Sequence, residues 1–186
     1  MILVDYEIKR LILKEKGMGI TPEIDFGKQI QPSSLDLRLG CTFAYISDNQ
    51  NFLKLSDKIE YDEFEIDEYD SFVVKPNKFV LAETLEEVSL PNDISAFVEG
   101  RSGIGRAGLQ VENAGWVDNG FSGTITLELK NLTDKDIVIK PGMRICQLVF
   151  TRTKKPNQPY QGKCLGQSKA TGSKIYEDEE IKNGGI

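Results

Sequence analysis

Gly100–Glu128 reads GRSGIGRAGLQVENAGWVDNGFSGTITLE, with Arg101, Ser102, Arg106, Asp118 and Glu128 set among seven glycines. Glycine lets a backbone turn sharply or approach a ligand closely. Arginine offers a planar fork of donors that suits phosphate. Asp118 and Glu128 supply two carboxylates for acid–base work. Cation, hydroxyl, pliant backbone and carboxylate together predict a site for a small phosphorylated molecule. The segment runs into Thr124–Lys130, whose alternation predicts a strand.

Working outward, the same kind of signal recurs. Ser34–Leu39 alternates Leu35, Leu37 and Leu39 with Asp36 and Arg38, and Phe79–Ala82, Ala96–Glu99, Ile137–Ile139 and Ile145–Phe150 are further strand candidates. Lys75-Pro76-Asn77, Pro91-Asn92-Asp93, Asn119-Gly120 and Pro141-Gly142 mark the turns between them. Many short strands at close spacing predict a mainly β fold, barrel-like or sandwich. One helix is expected, over Asp5–Lys16. Asp5 would cap it, Ile8, Leu11 and Ile12 would form its apolar stripe, and Gly17 would end it.

The chain has 186 residues and a net charge of −6. That length suits one domain with a short appendage. The acidic balance argues against nucleic acid as a partner, though a few local cations can still focus potential in a cleft. There is no histidine, which removes Ser–His–Asp triads and nearly all common zinc sites. Cys41, Cys146 and Cys164 form no CxxC and read as free thiols of a reducing compartment. MILVDYEIKR carries charge too early for a signal peptide, and no apolar run is long enough to span a bilayer. Localisation is therefore expected to be cytoplasmic, with no membrane partner. Glu60–Asp70 is densely acidic and reads as a solvated loop or strand face. From Lys154 the chain turns rich in Lys, Gly, Gln and Ser. That tail is either disordered or ordered over a ligand through Tyr160, Lys163 and Gln167.

GRSGIGR, AGWVDNGF, GTITLEL and PGMRICQLVF, in that order, resemble the dCTP deaminase branch of the dUTPase-like superfamily. QPSSLDLRLG at Gln31–Gly40 and PYQGKCLGQ at Pro159–Gln167 fit the same branch. The resemblance implies a dUTPase-like (β-clip) distorted barrel with a short N-terminal helix. It implies a homotrimer with active sites between subunits, residues 1–153 as the nucleotide-binding domain and 154–186 as a tail closing over the site. Glu128 matches the general base for deamination. Ser102 and Arg106 match residues that position water and cytosine. Ala114 matches the position whose carbonyl holds that water, and Asp118 the carboxylate at the deoxyribose 3′-hydroxyl. Arg101, Gly103, Thr126 and Leu127 fall with the substrate contacts, and Tyr160, Lys163 and Gln167 with the tail contacts.

Two comparisons within the resemblance refine it. Glu128 favours deamination, because pure dUTPases generally lack a Glu there. The span from Arg106 to Asp118 is one residue shorter than in common single-activity deaminases and lacks their His; Val111-Glu112 sits in that region. The spacing matches trimeric dUTPases instead, and Phe121 stands where their Tyr covers the sugar. This mixture resembles bifunctional enzymes that take dCTP to dUMP and pyrophosphate, a dTMP precursor supply. A single-activity deaminase releasing dUTP, a plain dUTPase and a non-catalytic nucleotide-binding regulator remain the alternatives. Gly103 replaces a frequent Ser. Inhibition by dTTP is common among the similar proteins, and Gly108–Gly115 could provide the change of state that it needs.

With no His and no CxxC, the zinc route to deamination is closed. Glu128 is expected to take the water proton and pass protons to N3 and the leaving amine. Ser102 and the Ala114 carbonyl would orient the water, and Arg106 would hold Glu128. Asp118 would activate or orient a second water for hydrolysis, with Mg²⁺ held by the substrate phosphates and no metal site in the protein. Taken singly, Glu128 reads as a surface strand residue, Asp118 as a turn former, and Arg101 and Arg106 as ion-pair partners. Gln31, Ser33, Asp36 and Arg38 read as pins of a strand and its subunit contacts, and Trp116 as a packing or interface residue.

Overall fold

The structure, a computed structural model, describes residues 1–14, 17–112 and 115–182. Helix α1 (Asp5–Leu13) opens the chain. Then come β1 (Gly19–Thr21), α2 (Phe26–Gln29), β2 (Ile30–Gln31), β3 (Ser34–Ile46), β4 (Tyr61–Glu65), β5 (Phe72–Val74), β6 (Phe79–Ser89) and β7 (Ile94–Gly100). Helix α3 (Ser102–Arg106), β8 (Leu109–Val111), β9 (Trp116–Val117), β10 (Ser122–Asn131), β11 (Ile137–Ile139) and β12 (Arg144–Arg152) complete the body. The tail carries a 3₁₀ turn (Ile175–Glu177) and the short helix α4 (Glu179–Lys182).

The fold is mainly β, as the alternation predicts. Ten strands form one curled sheet with the path β8-β10-β6-β3-β12-β7-β9; β1 joins at β6, and β2 and β4 join at β3. Strands β5 and β11 make a separate pair. The 13-residue β3 is the hinge of the curl. Its first half pairs with β12, and its second half with β6 and β4. Leu35, Leu37, Leu39 and Phe43 of β3 are buried with Val80, Ala82, Leu127, Leu129, Leu148 and Phe150. Burying each of these Val, Leu and Phe side chains contributes about 1.5–3 kcal/mol.

Two expectations at the N-terminus need correction. Val4, not Asp5, occupies the N-cap position, and Asp5 is the first helical residue. The Val4 N–H is met by Glu7 Oε2 at 3.2 Å, reaching back one turn, which is the side-chain half of a capping box. The helix also ends at Leu13 rather than Lys16, which lies outside the described residues. Gly17 still serves the exit: a Cβ there would sit 2.0 Å from the Leu11 carbonyl oxygen.

The polar face of β3 is not solvated. Asp36 is 2% exposed and is held by Arg101 Nε at 3.2 Å and Arg144 Nη1 at 3.0 Å. Arg38 pairs with fully buried Glu86. These pairs fasten β3 to its neighbours, as expected for Asp36 and Arg38. Acidic β4, by contrast, is exposed along most of its length.

Glu83 of β6 is also buried, and among the described residues its Oε2 has no hydrogen-bond partner. Burial pushes its carboxyl up, against the pull of hydrogen bonds at Thr42. A carboxyl raised in the folded state contributes stability that is complete below its unfolded value, about 4.3. That contribution is lost as pH rises through the folded value. The protein should therefore gain stability on acidification through the window just above the ordinary carboxylate range. Urea midpoints across that window should show a shallower slope for Glu83→Gln than for the parent; equal slopes would assign the effect to other groups.

Candidate active site

Strand β10 builds the site. Its half-buried positions Thr126, Glu128 and Lys130 alternate with buried Leu127 and Leu129, so Thr126 and Glu128 share one face. That face opens into a cavity of about 440 Å³. Thr126, Leu127 and Glu128 line it from β10, with Asp118 and Phe121 from the turn after β9. Gly120 has φ +80°, and Phe121 N–H returns to the Asp118 carbonyl at 3.1 Å, so Asp118 sits at the start of a tight turn. Trp116 Nε1 donates to Asp118 Oδ1 at 2.7 Å. Trp116 is half exposed and stacks edge-on against Phe97, so it packs and holds the carboxylate at once.

The tail supplies the opposite wall. Gly166 N–H donates to the Ser122 carbonyl at 2.7 Å, Thr124 N–H to the Gln167 carbonyl at 2.9 Å, and Gln167 Nε2 to the Thr124 carbonyl at 2.7 Å. Gly123 permits this approach: a Cβ there would lie 2.7 Å from the Gln167 carbonyl oxygen. Further along, Ala170 N–H donates to Thr42 Oγ1, Thr171 N–H to Thr126 Oγ1 and Ser173 N–H to the Tyr61 phenolic oxygen. Tyr160 packs against buried Phe121 with ring centroids 5.9 Å apart. The tail from Gly166 to Thr171 thus lies along β10.

Glu128 is the perturbed acid of this cavity. Burial pushes its carboxyl up, and the negative charge of Glu112 adds to the shift. Glu112 N–H donates to the Glu128 carbonyl at 2.8 Å, immediately beyond the pairing of β8 with β10.

Most of the residues singled out in the sequence fall into two groups. Asp118, Phe121, Thr126, Leu127, Glu128, Tyr160 and Gln167 line the one cavity. Arg101, Ser102 and Gly103 line another, of about 480 Å³, with Ser34, Asp36 and Gln147. Arg106 ends α3 and lines neither, so the expected hold of Arg106 on Glu128 is not made within one chain. Lys163 lies outside the cavity lining, tied to Asp178 and to the Lys174 carbonyl. Ala114 lies outside the described residues. Sequence reasoning missed Tyr61 and Lys174, which reach the cavity from β4 and the tail. Glu112 was noted only for its position in the chain.

Cys41, Cys146 and Cys164 are free. Among the described residues, no group of three or more His, Cys, Asp or Glu is placed to hold a metal ion. No helix among them is long and apolar enough to cross a membrane.

A family model described as dCTP deaminase-like matches residues 2–153. A relative from Persephonella marina named "dCTP deaminase, dUMP-forming" is 44% identical over 183 residues, covering 97% of this chain and all of its own. A relative of the same name from Aquifex aeolicus is 49% identical over 189 residues, covering 98% of this chain and 99% of its own. Among solved structures, 2′-deoxycytidine 5′-triphosphate deaminase from Agrobacterium tumefaciens superposes with a TM-score of 0.61 at 24% identity. That match covers 80% of this chain and 47% of the other, and it bears on the fold. The family match over most of the length, with full-length relatives well above a third identical, establishes that the chain belongs to the dCTP deaminase-like family.

Proposed function

We propose that this protein hydrolyses the 4-amine of dCTP and carries the product on to dUMP and pyrophosphate. The observation that carries this reading is the pairing of Glu128 and Asp118 in a single cavity. One carboxylate serves each of two waters. The names of the full-length relatives support the same pair of steps.

In the first step a water adds to C4 of cytosine and Glu128 takes its proton. A base held in a half-buried position with a raised pKa binds that proton firmly enough to return it, which suits a group that must act first as base and then as acid. Glu128 delivers it to N3, then moves the proton of the new hydroxyl to the amine, and ammonia leaves. In the second step Asp118 orients a water toward the α-phosphate. Mg²⁺, bound through the substrate phosphates, would relieve their charge. Asp118 lines the cavity, and among the described residues no group of three or more His, Cys, Asp or Glu gathers there, which fits a metal that arrives on the triphosphate.

Ser102, Arg101, Gly103 and Arg106 enter from a second copy of the chain. Their place outside the cavity that holds Glu128 supports a site shared between subunits of a homotrimer, where they would meet the water and the nucleotide phosphates. The tail closes the site. Tyr160 covers the sugar side beside Phe121, and Gln167 Oε1, buried without a partner among the described residues, is an acceptor left for the nucleotide. Lys163 would exchange its hold on Asp178 for the substrate. Inhibition by dTTP would act on the same cavity.

The test is a product assay with Mg²⁺ and dCTP, and separately dUTP, with nucleotides resolved over time. dUMP and pyrophosphate from dCTP without accumulation of dUTP is the expected result. dUTP that goes no further would reduce the protein to a single-activity deaminase, and no turnover of dCTP would remove the deaminase reading. Asp118→Asn should slow pyrophosphate release about a hundredfold at saturating substrate while dCTP is still deaminated. A normal rate of pyrophosphate release in that variant would take Asp118 out of the second step.

A further inference from the structure

Glu112 has no role in the reaction described so far, although it lines the same cavity as Glu128. The two residues lie side by side on neighbouring segments, joined by the 2.8 Å hydrogen bond from Glu112 N–H to the Glu128 carbonyl. The strand pairing of Leu129 with Val111 fixes that adjacency, so the two backbones cannot separate here without breaking the β8–β10 edge. Like charges on adjacent positions of paired strands repel, and the arrangement persists here in a half-buried wall.

We propose that Glu112 is a positioning residue for the deaminating base, its carboxylate set beside Glu128 so that Glu128 retains the proton between water attack and departure of the amine. This rests on Glu128 being that base. The proton balance is closed. The water O–H bond breaks as its oxygen joins C4, and the proton goes to Glu128 and then to N3. The hydroxyl proton follows through Glu128 to the amine as the C4–N bond breaks, giving uracil and ammonia. Glu112 gives up nothing; its charge keeps the proton on its neighbour. The other titratable or charged groups facing the cavity are Tyr61 from β4, Asp118 from the β9 turn, and Tyr160, Cys164 and Lys174 from the tail. Of these, Lys174 spends its Nζ on the Lys163 carbonyl at 2.8 Å. The negative charge of Glu112 adds to burial in raising the affinity of Glu128 for a proton.

The experiment is the pH–rate profile of dCTP deamination by the full-length protein and by Glu112→Gln, with Glu112→Asp as the charge-retaining control. In Glu112→Gln the acid limb should move to lower pH and kcat at neutral pH should fall about tenfold, with KM within about twofold. Glu112→Asp should keep the parental limb. An unmoved limb in Glu112→Gln, or the same displacement in both variants, overturns the proposal. Carboxyl-carbon NMR gives a second measurement. The Glu128 carboxyl should titrate at lower pH in Glu112→Gln than in the parent; an unmoved Glu128 curve overturns the proposal. Failure of the parent to deaminate dCTP would instead count against the proposed function, and the two failures are distinct.

Discussion

Glu128→Gln is expected to lower dCTP deamination by about a thousandfold while nucleotide binding changes little. The substitution keeps the length and shape of a side chain fixed on β10 by pairing to β6 and β8. It removes the one property the first step requires, a group that can accept and return a proton. The amide remains able to hydrogen-bond the cytosine edge, so affinity should stay within about fivefold of the parent (a neutral hydrogen bond replaces a charged one, a difference of about 1 kcal/mol or less). Steady-state release of ammonia measures the rate, and calorimetric titration with dCTP measures the affinity. Retention of more than a tenth of the parental rate would exclude Glu128 as the base. A parallel loss of rate and affinity would make it a binding residue.

Glu86→Ala should cost about 3–5 kcal/mol of stability. The Glu86 side chain is fully buried, with Oε2 accepting from Arg38 N–H at 2.7 Å. Oε1 accepts from Arg38 Nε at 2.6 Å and from Gln29 Nε2 at 2.9 Å. Truncation leaves a guanidinium, an amide and a main-chain N–H with no acceptor at that point. Leaving such groups unpaired is more costly than the net worth of the bonds themselves. Urea denaturation at one fixed protein concentration reads the effect and avoids the concentration dependence of an assembling chain. A loss below about 1 kcal/mol would show that water or a local shift replaces the carboxylate. Activity should fall only as folded protein is lost, since Glu86 lines neither cavity.

Much of this was legible in the chain. The alternation around Leu35–Leu39 and Thr124–Lys130 predicted two central strands, and both are longer than predicted because their ends continue into pairings of mixed composition. Asp118 and Glu128 were legible because motif order identifies them, and the structure brings them to one cavity. Glu86 was not. In TLEEV it reads as a surface acid, and its partner Arg38 is 48 residues away. Glu112 was hidden for a similar reason, since its effect on Glu128 exists only once β8 and β10 pair. Val4 displaced Asp5 at the helix start because the carboxylate of Glu7 reaches back to its N–H, a cap made from inside the helix rather than ahead of it. Strands β1, β2, β8 and β9 have two or three residues each, too few to show a period.

One wall of the cavity is a segment laid along β10, which reaches the core through Cys164, packed against the main cluster, and through buried Ala170, packed with Ala44 and Leu81. Leu127 and Leu129 belong to the main cluster with residues of β3, β6 and β12, so the rest of the segment around Cys164–Ser173 can vary while those two contacts are kept. Variation is therefore inexpensive at this wall and expensive at the other. A lineage, or an engineer, can exchange tails to reshape what the cavity admits without repacking the body that carries the two carboxylates.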